Sequence, residues 1–96
     1  KYYTYVNPGK LKDGYSRDQI MKDFDAHGVS CFSGSCSEIY LERAFKSAKL
    51  GPNNRLSSAK ELGETSLMFL VDPTFSIADM EYICDVSRKL FNDATA

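Results

Sequence analysis

Apolar side chains recur along the first third of the chain with two different spacings. An aromatic and β-branched run at residues 2–6 predicts a strand, and Asn7-Pro8-Gly9 ends it because proline cannot donate to a sheet. After a loop, one stripe of a predicted helix carries Ile20, Met21 and Phe24. That helix stops at Gly28, which tolerates a left-handed cap, and residues 29–32 predict a short second strand.

The rest of the chain predicts a third strand between helices. One helix is predicted from about residue 35 to residue 49, and a short one over residues 58–64. Residues 67–71 form an apolar run without alternation, which is typical of a strand buried on both faces. A last helix follows residue 76, with an apolar stripe formed by Ile77, Met80, Ile83, Cys84, Leu90 and Phe91. We expect the small, polar tail at residues 92–96 to fray.

Four serines occupy positions from which a side chain caps a helix. Ser16, Ser35 and Ser58 each precede a Glu or Gln by three residues, which is the capping-box spacing. Ser76 and Asp79 mark the start of the last helix in the same way. The sequence therefore predicts that a helix begins after each of these serines.

The predicted order β-α-β-α-α-β-α favours an α+β fold, a two-layer sandwich in which helices cover a small three-stranded sheet. Residues 1–96 fit one domain, and we expect the helices to pack on one side of the sheet. The alternate tyrosines from Tyr2 to Tyr5 then lie on the other face, either half-buried or docked on a further part of the protein. The chain starts inside a strand, so we expect a longer parent protein.

Composition and charge narrow the class of protein. Lysine and arginine number 12 against 13 acidic residues, with a net charge of −1 and no block of like charge, so a nucleic-acid or anionic-membrane surface is not indicated. The longest apolar run is far too short to span a bilayer. Three cysteines, an odd number, indicate free thiols and a reducing compartment, and we expect a cytoplasmic protein.

The segment Cys31-Phe32-Ser33-Gly34-Ser35-Cys36 is the most unusual stretch. If a helix starts at Ser35, its free amides and the neighbouring serines can hold a phosphate or carboxylate; capping alone also explains Ser35. Cys36 at that helix start is a candidate reactive thiol, but Glu42 stands where a phosphatase loop needs arginine. His27, near a helix end, has no oxyanion partner, the cysteine spacing predicts no metal site, and we interpret Cys84 as a core residue.

In order and spacing, most of the chain resembles the C-terminal region of the DegT/DnrJ/StrS family of sugar aminotransferases. The resemblance rests on Ser16-Arg17-Asp18-Gln19-Ile20, on His27-Gly28-Val29, and on the strand, loop and helix that carry Ser33-Gly34-Ser35-Cys36. Leu56-Ser57-Ser58-Ala59-Lys60-Glu61-Leu62 and Thr74-Phe75-Ser76-Ile77-Ala78-Asp79 continue it. The chain departs from the family at two points. Many members have an aromatic or histidine-rich segment where this chain has Ser33-Gly34-Ser35-Cys36, and many have Leu-Pro pairs that are absent here.

The resemblance implies a C-terminal small domain of the aspartate-aminotransferase-like fold, packed on a large N-terminal domain in a homodimer. It implies pyridoxal phosphate as cofactor, with the Schiff-base lysine in the large domain, so no catalytic residue is expected in this chain. It further implies that Phe32, Ser33, Gly34, Ser35 and Cys36 contact a nucleotide-linked keto-sugar. The parent would be a transaminase of amino-sugar or polysaccharide biosynthesis.

A second hypothesis does not involve an enzyme. The same segment could serve an autonomous α/β ligand-binding or regulatory module, with an anion site at the helix start formed by residues 33–36. The two hypotheses differ in whether a large cofactor-binding domain precedes these residues.

Overall fold

A computed structural model describes the whole chain, residues 1–96. Its strands are β1 (Tyr2–Tyr5), β2 (Cys31–Phe32) and β3 (Ser66–Phe69). Its α-helices are α1 (Arg17–Ala26), α2 (Arg43–Ser47), α3 (Ser57–Thr65) and α4 (Ile77–Ala94), and 3₁₀ turns cover Pro8–Lys10 and Ile39–Leu41. The predicted α+β order is confirmed.

The three strands form one antiparallel sheet in the order β1-β3-β2. All four residues of the central strand β3 are buried, which confirms the prediction drawn from its lack of alternation. Both edge strands pair with Met68, through Tyr3 on one side and Phe32 on the other. Because side chains opposite one another share a face, these three lie together on one side of the sheet.

The hydrophobic core lies on the opposite side, under α1 and α4. Phe24, Ile20 and Leu67 are the largest fully buried side chains. The ring of Phe24 packs edge-on against Phe69 at 5.0 Å and Phe91 at 5.7 Å between centroids. The expectation that every helix packs on this side is wrong, since α2 packs mainly against the 3₁₀ turn Ile39–Leu41.

Two of the four predicted serine caps form. Ser16 accepts a hydrogen bond from the amide of Gln19, and Ser76 makes a complete capping box with Asp79. Ser58 is not a cap, because α3 already begins at Ser57 with no side chain bonded to its first turn.

The buried stripe of α4 differs from the predicted one. Val86, Leu90 and Ala94 reach the core, whereas Ile77 is 80% exposed and Cys84 is exposed. The prediction that Cys84 is a core residue is therefore wrong, since it lies about 160° around the helix from Val86. The predicted frayed tail is also wrong: the helix continues to Ala94, which is fully buried, and Thr95 forms a bridge with Leu11.

Residues 38–56, here called the arm, extend the molecule. The radius of gyration is 16.0 Å, against about 13 Å for a typical domain of about 100 residues. No arm residue is buried, and Ile39, Leu41, Leu50 and Leu56 are exposed. None of the helices has the length and apolar character needed to cross a membrane.

Candidate substrate-binding loop

The face of the sheet that carries Tyr3, Met68 and Phe32, away from α1 and α4, is called here the helix-free face. Residues 32–36 leave the edge strand β2 and cross this face. Phe32 is 49% exposed, Gly34 is half-buried, and Ser33, Ser35 and Cys36 are exposed. Ser33 comes within reach of β3, and Ser35 within reach of β1, on the far side of the central strand. The five predicted site residues thus form one accessible loop with polar side chains turned to its surface.

No helix begins at Ser35. The chain passes from the loop to a 3₁₀ turn at Ile39–Leu41, and α2 begins only at Arg43. Glu38 cannot complete the predicted capping box because Arg55 and Tyr40 already hold its carboxylate. The interpretation of Ser35 as a cap is therefore wrong, and so is the argument for an anion site at a helix start, on which the autonomous-module hypothesis depended.

Two neighbouring strands hold the loop. The Ser66 hydroxyl of β3 donates to the carbonyl of Ser33 at 2.6 Å. The Tyr3 hydroxyl of β1 accepts from the amide of Ser35 at 3.2 Å. Between these bonds Gly34 has φ +95°, and an added Cβ there would lie 2.5 Å from the Tyr3 ring. Both the positive φ of residue 34 and its contact with the Tyr3 ring therefore require glycine at this position.

The arm that follows the loop is closed at its base. Arg55 donates two hydrogen bonds of 2.7 Å to the Glu38 carboxylate. The Tyr40 hydroxyl donates to Glu38 at 2.8 Å and accepts from the amide of Leu56 at 2.9 Å. These bonds from Arg55 lower the pKa of Glu38 to about 2, so its carboxylate is ionised at any physiological pH.

No pattern in the sequence indicated that Tyr3, Ser66, Glu38 or Arg55 shapes the candidate site. Their partners are 17 to 33 positions away along the chain: Ser35 for Tyr3, Ser33 for Ser66, and Glu38 for Arg55. Local spacing carries no information about contacts of that range. The one available signal was the glycine flanked by serines, which indicated an unusual backbone at residue 34.

The cysteines and the histidine do not form a nucleophilic pair. Burial raises the pKa of Cys31 to about 11, and this thiol packs in the core. The exposed thiol of Cys36 lies 3.6 Å from the Glu42 carboxylate, not from a base and an oxyanion site. Nδ1 of His27 is hydrogen-bonded to the carbonyl oxygen of Asp23. No three acidic, cysteine or histidine side chains group together as metal ligands.

One cleft lies away from the loop, between β2, β3 and the start of α4. It measures about 240 Å³, and Val29, Phe69, Phe75 and Ile83 give it an apolar lining. Its acidic group, Asp79, is committed to the capping box of α4. This cleft therefore offers shape and apolar surface, but its carboxylate is already engaged in capping α4.

Comparison with solved structures identifies a similar chain. The aminotransferase from Psychrobacter cryohalolentis, known from an X-ray structure, matches with a TM-score of 0.90 and 46% sequence identity over 96% of this chain. The match spans only 23% of the aminotransferase chain. No protein-family model matches, and a search of curated proteins finds no match. At this identity the fold is that of an aminotransferase fragment.

Proposed function

We propose that this chain is the C-terminal small domain of a cytoplasmic aminotransferase dependent on pyridoxal phosphate. The observation that carries the proposal is the match to an aminotransferase at 46% identity along nearly the whole chain. Because that match spans 23% of the solved chain, the greater part of the enzyme would lie in a preceding large domain. The resemblance to sugar aminotransferases supports a nucleotide-linked keto-sugar as amino acceptor.

The helix-free side of the molecule suits contact with that large domain. Tyr5 and Phe32 are exposed there, at 53% and 49%, next to the candidate loop. The arm adds apolar residues without any buried core of its own, among them Leu50, which is 62% exposed. Exposed apolar side chains that lie near one another are typical of a surface that packs on another domain. We expect this face to form one wall of the cleft, and the parent to be a homodimer.

In this arrangement residues 32–36 would contact the sugar substrate. The hydroxyls of Ser33 and Ser35 are exposed and able to donate to sugar or phosphate oxygens. Gly34 has no side chain, so a ligand can approach the backbone closely. Phe32 offers an apolar ring at the edge of the same surface.

Pyridoxal phosphate would be held mainly by the large domain. When bound, the cofactor acts as an electron sink for amino-group transfer. The lysines of this chain lie at the surface. Lys60 is the least exposed of them, and its ammonium group is paired with the Glu64 carboxylate at 3.1 Å. None of them lies in an enclosed cavity of the kind that would suit a cofactor-linked lysine. The residues present therefore fit a substrate wall rather than the catalytic centre.

The first test is the visible absorption spectrum of the full-length protein. A bound pyridoxal phosphate that absorbs in the visible range and bleaches when glutamate is added would support the aminotransferase proposal. A protein that remains colourless after addition of pyridoxal phosphate would contradict it.

The role of the loop is tested separately. We expect Ser33→Ala and Ser35→Ala to raise the KM for a nucleotide-linked keto-sugar about 2- to 10-fold each, the range for one lost hydrogen bond. Ser58→Ala removes an equally exposed hydroxyl on α3 and serves as control. Unchanged KM values in both loop variants would remove these side chains from the site.

A further inference from the structure

Tyr3 differs from the other tyrosines of β1. Its hydroxyl accepts the hydrogen bond from the Ser35 amide at 3.2 Å and lies 3.4 Å from the Ser35 hydroxyl. Its ring fills the space that a side chain at residue 34 would occupy. Tyr3 thus contacts both the backbone amide and the side chain of Ser35, from a strand on the far side of β3.

The neighbouring tyrosines have no such role. Tyr2 points to the other face of the sheet and is 63% exposed, whereas Tyr3 is 37% exposed. The hydrogen bonds with Ser35 also lower the pKa of the Tyr3 phenol. The Ser66 bond fixes the start of the loop, so Tyr3 supplies the second fixed point.

We propose that Tyr3 is a positioning residue that fixes the conformation of residues 33–35 and thereby sets the affinity for the amino-acceptor substrate. The inference rests on the proposed function of this loop. With Tyr3 in place, the Ser35 amide is already bonded, and the Ser35 hydroxyl is held near the phenol rather than free to rotate. The loop then binds its ligand without the cost of ordering these residues.

The test compares Tyr3→Phe with Tyr2→Phe in the full-length protein. Tyr3→Phe keeps the ring against Gly34 and removes the hydroxyl that contacts the amide and the hydroxyl of Ser35. We expect amide hydrogen exchange at Ser35 to rise about 2- to 10-fold, the range for one hydrogen bond, with exchange in β3 unchanged. We expect the KM for an enzymatically prepared nucleotide-linked 4-keto-6-deoxy sugar to rise by a similar factor. The glutamate half-reaction, measured by absorbance, should stay the same.

The outcomes separate the inference from the function on which it rests. Exchange at Ser35 that does not change in Tyr3→Phe overturns the positioning role, whatever the activity. Increased exchange with an unchanged sugar KM overturns the link between loop order and substrate affinity. A wild-type protein that does not react with glutamate contradicts the proposed function, while the exchange data still decide whether Tyr3 holds the loop. Equal effects in Tyr2→Phe would also overturn the inference.

Discussion

Gly34 combines a backbone conformation and a contact that both exclude a side chain. Its φ of +95° resembles that of Gly14, at +85°, but only Gly34 has a ring in the position of a Cβ. Nothing lies within 4 Å of an added Cβ at Gly14. The two glycines therefore form a matched pair that separates backbone strain from the contact with Tyr3.

We predict that Gly34→Ala lowers the free energy of unfolding by about 1–2 kcal/mol more than Gly14→Ala, which loses only the backbone freedom of glycine. The additional loss should disappear when Tyr3→Ala is introduced into the Gly34→Ala protein. Urea unfolding of five proteins measures both effects: the wild type, the two glycine variants, Tyr3→Ala alone, and Tyr3→Ala combined with Gly34→Ala. Equal destabilisation by the two glycine substitutions would show that the ring yields without cost.

The three cysteines differ in environment enough to be separated by alkylation. Cys31 is buried and burial raises its pKa to about 11, whereas Cys36 and Cys84 are exposed. We predict that iodoacetamide at pH 8 modifies two thiols quickly and Cys31 only after addition of denaturant, as mapped by mass spectrometry. Cys31→Ala should leave both fast reactions in place. Rapid modification of Cys31 in the folded chain would contradict the packing of β2 against the core.

At the level of elements, local spacing predicted the strands, α1, α3 and the start of α4 well, but not residues 33–56 between β2 and α3. Ser16 and Ser76 form their caps because the backbone amides of Gln19 and Asp79 are free to donate to the serine hydroxyls. Ser35 has the same spacing, but Tyr3 engages its amide and Arg55 engages the carboxylate of Glu38. Contacts distant in sequence overrode a sound local pattern, and the predicted helix became a loop, a 3₁₀ turn and the short α2. The sequence singled out residues 32–36 as a candidate site, but it did not predict the geometry of that loop.

The base of the arm depends on the charge of Glu38. Its pKa is lowered to about 2, first by hydrogen bonds from Arg55 and also by Tyr40, from an ordinary value of 4.5. Because this pKa is lowered, the ionised Glu38 carboxylate stabilises the base of the arm fully above about pH 4.5, and this stabilisation is lost as the pH falls toward 2. We predict a Glu38 carboxyl titration midpoint near 2 by NMR. A midpoint near 4.5 would show that the arm is open in solution.

Neutralising the same carboxylate should loosen the arm at neutral pH. In Glu38→Gln the paired bond to Arg55 loses its charge, and we expect faster trypsin cleavage at Arg43 and Lys46 within the arm. Glu64→Gln breaks only the exposed pair with Lys60 and should leave cleavage as in the wild type. Equal cleavage of the two variants would contradict a closing role for Glu38.

For the molecule as a whole, the apolar content exceeds what this chain buries. Hydrophobic residues make up 43% of the sequence, yet only 12 of 96 residues are buried. The core takes up Ile20 and Phe24 of α1 and the Val86, Leu90 and Ala94 side chains of α4, while the arm, the helix-free sheet face and the start of α4 keep apolar side chains exposed. The overall α+β class followed from the order of elements, but this uneven burial depends on tertiary placement, which hydrophobic periodicity does not encode.

Because the arm keeps apolar side chains exposed, its proposed packing on the large domain can be tested. Leu50 is 62% exposed, so Leu50→Ser should hardly change the unfolding free energy of the 96-residue chain. In the full-length protein we expect the same substitution to lower the midpoint of thermal unfolding, because Leu50 would be buried against the large domain. Ile77→Ser is the matched control, since Ile77 is 80% exposed at the start of α4, outside the arm. If the two substitutions have equal effects in the full-length protein, the arm is not the surface that packs on the large domain.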